Sequence, residues 1–106
     1  MTNGVTMDWL MDNSIEPAAG QSLARMSVDT GVTSELHHHS NCTETIHVLE
    51  GKIEQRIGDD WLNMSAGDTC LIPINAKHQT RNVGAVPAIM MVAYSAGTRV
   101  YIEDDE

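Results

Sequence analysis

Glycine and proline break this chain at Pro17, Gly20, Gly31, Gly51, Gly58, Gly67, Pro73, Gly84, Pro87 and Gly97, and that punctuation limits the fold more than any other feature. Between the breaks lie short segments rich in Val, Ile, Thr and Met. None sustains an apolar 3.6-residue period with good caps for three turns. Short β-type runs bounded by turn residues read as an all-β sandwich or barrel. The pattern predicts strands near 22–28, 34–39, 44–50, 52–57, 61–64, 69–73, 78–83 and 88–95. "VTMDWLMD" near the start fits either a first strand or a short helical turn. "RIGDDW" places Gly-Asp between β-type runs, a hairpin signal, and "MSAGDT" repeats the signal at Gly67.

The chain has 106 residues, enough for one domain spanning 1–106 with a real core. Phe is absent, so aliphatic residues and seven Met must fill the interior. The net charge of -9 disfavours nucleic acid and anionic membrane as partners. Part of that charge lies in 103–106, "EDDE", which reads as a solvated, frayed tail. The two cysteines, Cys42 and Cys70, form no C-x-x-C pair and suggest no disulfide framework. No basic-then-apolar start and no bilayer-length apolar run is present, so the expected location is the cytoplasm.

The chemistry concentrates in "GVTSELHHHSNCTETIHVLEG", residues 31–51. Side chains alternate along a strand, so His37 and His39 share one face and His38 faces the other way. Two imidazoles at i and i+2 can converge on one ion. If the next strand pairs back, Glu44 adds a carboxylate, with Ile46 and Val48 on its face and His47 and Leu49 turned away. The one histidine outside this stretch is His78, which opens a segment where His78, Thr80 and Asn82 share a face. Three imidazoles and a carboxylate would hold one divalent transition metal ion (Fe, Mn, Ni, Co, Cu or Zn) and leave room for a substrate. The alternative is a wet polar cavity, but a buried carboxylate is costly without a cation.

These residues resemble the two cupin motifs. The first runs through Gly31, His37, His39, Glu44 and Gly51. The second, over 67–82, runs through Gly67, Pro73, His78 and Asn82, with Asn75 standing where the motif has glycine. Asn is the next best residue at a positive φ, so the turn should survive. The resemblance implies a small single-domain cupin, a double-stranded β-helix or jelly-roll barrel, with the metal held by His37, His39, Glu44 and His78. It also implies a homodimer, which would account for apolar residues such as Leu49 on an outer face.

Candidate pocket residues follow from strand alternation. Arg25 would clamp a carboxylate substrate, and Gln55 would reach the cavity beside it. Ile46, Val48 and Ile72 would line the wall near Glu44. Thr80, Met90, Val92 and Tyr94 would line the remainder. The implied activity is that of a metal-dependent enzyme on a small polar organic molecule that chelates the metal. An oxygen-dependent dioxygenase leads, with Glu44 as a possible base. A non-redox isomerase or lyase acting on a sugar acid or related carboxylate, and a binding or sensor protein without turnover, are the alternatives.

Overall fold

The computed structural model describes residues 3–105, and every regular element in them is a strand. They are β1 (Val5–Met11), β2 (Ser22–Val28), β3 (His37–His38), β4 (Glu44–Glu50), β5 (Lys52–Ile57), β6 (Asp60–Ser65), β7 (Thr69–Ile72), β8 (His78–Asn82), β9 (Ala88–Tyr94) and β10 (Ile102–Glu103). Two antiparallel five-stranded sheets result, ordered β1-β2-β9-β4-β7 and β10-β3-β8-β5-β6. This is the all-β architecture that the glycine and proline punctuation predicts, in the jelly-roll form that the resemblance to cupins implies.

Alternation builds the core between the sheets. In β2 and β9, and in β4 as far as Val48, every second side chain is buried, and Ile46, Val48, Met90 and Val92 are all 1% exposed or less. Branched aliphatic residues suit this pleated, half-buried surface. At the corner between the sheets, Gly51 has φ 89, and a Cβ there would lie 3.0 Å from the Cα of Ala88. Only glycine meets both demands at once.

Three expectations on the strands and turns need correction or completion, and one turn stands as expected. "VTMDWLM" is the edge strand β1, with Val5, Met7 and Trp9 turned inward and partly buried. The predicted strand 34–39 is reduced to His37–His38, plus a single bridge between Thr33 and Arg81. Gly58-Asp59 does close the β5–β6 hairpin, since Ile57 faces Asp60. Gly67 does not close a hairpin: β6 and β7 lie in different sheets, and the turn carries the chain across between them.

Of the acidic end, Glu103 and Asp104 are held and Asp105 is exposed, while Glu106 lies outside the described residues. Glu103 pairs with His37, and the Asp104 N–H donates to the Leu36 carbonyl at 2.9 Å. Charge favoured a solvated reading, but β3 had an open edge that needed a strand. No described helix is long and apolar enough to cross a membrane.

Candidate metal centre

His37 and His78 are direct register partners across β3 and β8 in one sheet. Glu44 opens β4 in the other sheet, and His39 follows β3. Their four ligand atoms lie within 4.8 Å of one another, and all four residues are buried. That is the scale of a single coordination shell with bonds of about 2.1 Å. The imidazole centroids stand 4.1 Å apart for His37–His78, and 5.0 Å apart for both His37–His39 and His39–His78.

The rings are held from behind. Nδ1 of His37 meets the Glu35 carbonyl at 2.7 Å, Nδ1 of His39 the Val100 carbonyl at 2.8 Å, and Nδ1 of His78 the Ala76 carbonyl at 2.9 Å. A carbonyl only accepts, so each Nδ1 carries the proton, and each Nε2 is free to ligate. This is the backing that orients ligand histidines in metal sites. On the inner side, Nε2 of His39 and Nε2 of His78 each lie 3.1 Å from Oε1 of Glu44. With acceptors at both nitrogens, each ring must either bear two protons or share a cation with the carboxylate. The donor set therefore fits a divalent metal.

The electrostatics of the metal-free centre agree. Burial raises the Glu44 carboxyl, but hydrogen bonds from His39 and His78 outweigh it and hold the group down to about 2. Burial and the neighbouring His78 lower His37 to about 4. His37 and Glu44 are thus in their metal-binding protonation states at neutral pH.

Around the ligands lies a cavity of ≈ 40 Å³. At roughly 10–15 Å³ per water, that is space for about three water-sized groups. Of the predicted pocket residues, Thr80 and Tyr94 line it. Gln55 is fully buried behind it, accepting a hydrogen bond from the Thr80 hydroxyl. Ile46, Val48, Ile72, Met90 and Val92 belong to the packed core and do not line the cavity. Arg25 is displaced altogether. It lies on the exposed phase of β2, opposite Asp8 and Met91, because its neighbours Ala24 and Met26 take the inward phase. Asn82 serves the frame: its amide donates to the carbonyls of Val28 and Val86, and its oxygen accepts from the Gly84 N–H.

Asn75 adopts φ 68, so the turn is kept without glycine. His38 points away from the centre and pairs with Asp104 at 2.8 Å, and His47 meets the Thr69 hydroxyl at 2.7 Å.

Sequence reasoning missed Arg99 and Tyr101, which line the cavity from the segment before β10. Tyr101 stacks on His37 with centroids 4.4 Å apart and planes 20° apart. The alternation "RVYIE" carried a strand signal, which the charge of the following residues masked. Tyr94 sits edge-on to His39 at 5.2 Å. Burial pushes its phenol well above the ordinary value, and the charge of Glu44 adds to this, so the hydroxyl stays protonated.

Comparisons with known proteins agree with this geometry. Residues 24–94 match the family Cupin_2, described as a cupin domain. The uncharacterized protein MJ1618 of Methanocaldococcus jannaschii is 32% identical over 78 residues, 74% of this chain and 62% of that protein. Germin-like protein 3-8 of Oryza sativa is 29% identical over 82 residues, 73% of this chain and 36% of its own length. Among solved structures, an oxalate oxidase superposes with TM-score 0.85 at 25% identity, covering 97% of this chain and 56% of that one. The chain thus spans about three fifths or less of each of these relatives.

Proposed function

The chain belongs to the cupin family, and from that premise we propose that it is a metal-dependent enzyme acting on a small anionic molecule that chelates the metal, by an oxygen-dependent reaction. The observation that carries this reading is the convergence of three Nδ1-backed imidazoles and one buried carboxylate, of which His37, His78 and Glu44 line a cavity large enough for a small ligand. A bound metal would supply a Lewis acid and, if redox-active, one-electron chemistry. The chain's own residues do the rest. The Glu35, Val100 and Ala76 carbonyls fix the rings, so little reorganisation is needed during reaction. The apolar wall of Val5, Met7 and Met26 excludes water from one side. The likeness to oxalate oxidase supports a short carboxylate as the substrate class.

A second reading rests on Tyr94. A phenol kept neutral beside a carboxylate can donate or hold a proton, and Glu44 can accept one when its contacts loosen. That pair suits non-redox isomerisation or elimination on a carboxylate.

Metal-reconstituted protein incubated with a metabolite extract, with and without oxygen, and followed by mass spectrometry, separates the two. Loss of a metabolite only in oxygen, absent in His78→Ala, supports the first reading. Loss without oxygen replaces it with the second. A ligand bound and recovered unchanged sinks both.

We also propose that the working unit is a homodimer. Leu23, Ala93, Thr45 and Leu71 form one row across the outer face of the first sheet. Leu23 and Leu71 are 38% and 57% exposed, an apolar surface suited to a second copy.

A further inference from the structure

Arg99 is a half-buried cation at the wall of the metal cavity. Its guanidinium carbon lies 5.1 Å from the ring centroid of Trp9, 5.1 Å from that of Tyr94 and 4.9 Å from that of Tyr101. Three rings on three different parts of the chain thus hold it by cation–π attraction. These contacts engage the charge and the faces of the group and leave its N–H donors unspent. Among the described residues, no carboxylate pairs with it and no hydrogen bond is drawn from it. The outward-facing Arg81 behaves differently, stacking on Trp61 while also pairing with Glu54 at 2.7 Å.

Position adds to this. Tyr101 touches both Arg99 and the ring of His37, so one aromatic ring separates the cation from a metal ligand. Arg99 and Tyr101 also border an outer hollow of ≈ 360 Å³ beside Trp9 and Ser22, so the two residues line both the inner cavity and this hollow. Glu35 and Glu44 are the acidic groups in the inner lining. With a divalent ion and Arg99 present, the lining remains net positive.

We propose that Arg99 determines specificity by binding a carboxylate at the end of the substrate remote from the metal. The substrate class that follows is a short acid that chelates through one end and carries a second carboxylate at the other. The cavity limits it to on the order of three to four carbon atoms. This inference rests on the metal-centre reading above and adds the substrate's second charge. Planar guanidinium matches a carboxylate bidentately, and charge-assisted bonds are the strong ones.

The test uses the full chain loaded with Zn(II), which is redox-silent, so that binding is read without oxidation. Calorimetric titrations compare malonate with malonamate, its half-amide of the same shape and one charge fewer. Wild type should prefer malonate by about 10- to 100-fold. Arg99→Gln should lose that preference while keeping its affinity for malonamate, its zinc content and its circular dichroism. Arg99→Lys, which keeps the charge and loses the fork, should retain part of the preference, and it carries the test if the Gln variant folds poorly. Equal binding of the two ligands by wild type overturns the proposal, as does an equal loss of both in the variants, which marks a merely structural arginine. Turnover is measured separately. An Arg99-dependent preference without turnover by any metal form leaves this inference standing and removes the enzyme reading. Turnover with no Arg99 dependence does the opposite.

Discussion

The backbone N–H of Asn75 donates to the carbonyl of His39 at 2.9 Å. The turn of the second motif is therefore tied to a ligand of the first. That turn needs the left-handed conformation that Asn75 adopts at φ 68. Asn75→Gly should leave stability and metal affinity near wild type. Asn75→Val should cost about 1–2 kcal/mol, the penalty for a side chain forced into that region, and should weaken metal binding with it. Chemical denaturation paired with metal titration checks both.

The triple histidine divides by function. His37→Ala and His39→Ala should each lose most bound metal when measured by elemental analysis after gentle purification. His38→Ala should retain it and lose only its bond to Asp104, at a cost of about 0.5–1.5 kcal/mol in stability. Loss of metal in His38→Ala would show that β3 is held in a different register.

The metal-free protein should be acid-labile, for two reasons of the same sign. His37 is held at about 4, below its ordinary 6.5, so between those values the unfolded chain takes up a proton that the folded one refuses. Glu44, held at about 2 against an ordinary 4.5, acts likewise at lower pH. Stability present at neutral pH should therefore decline as pH falls below about 6.5, first through His37 and then through Glu44. Thermal denaturation of the apo form across pH 7 to 3 should show this slope. His37→Gln should flatten its upper part alone.

Both thiols should be slow to react. Burial pushes Cys70 up to about 11 and raises Cys42, with the charge of Glu44 adding in each case. At pH 8 the thiolate is then a minor species. A disulfide reagent should modify the native protein slowly and the denatured protein at once. A rapid native phase in Cys70→Ser would contradict the burial of Cys42.

The outer row of the first sheet gives the prediction on assembly. Leu71→Glu places a charge on the most exposed leucine of the proposed contact, at the β7 end of the row, and should shift the mass in light scattering from dimer to monomer, with the metal retained. A monomeric wild type would remove the dimer proposal and leave the metal centre as it stands.

Much of the centre was legible because it obeys local rules. Period-two alternation alone separates His37 and His39 from His38, and puts Ile46 and Val48 on the face of Glu44. The same rule failed where phase had no anchor. Alternation over 22–28 admits Arg25 inward in one phase, but Ala24 and Met26 hold the inward phase of β2. Tyr101 and Arg99 were missed because their importance comes from pairing between β10 and β3, which joins segments more than 60 positions apart. No local pattern encodes such a meeting. Gly67 shows a related limit: turn chemistry marks a reversal, but it does not say whether the two strands share a sheet.

The carbonyl behind His39 belongs to Val100, 61 positions along the chain, and the partner of His38 lies 66 positions along. Contacts of such span close late, since loop closure must precede their reward. The early chain offers His37, His39 and Glu44 as loose donors, which rank ions by intrinsic affinity. His37 and His78 are backed by carbonyls two positions away, so the docking of β10 fixes His39 alone, through Val100. A metal ion captured before β10 docks would meet a looser third imidazole than one admitted afterwards, so the two would be selected under different constraints.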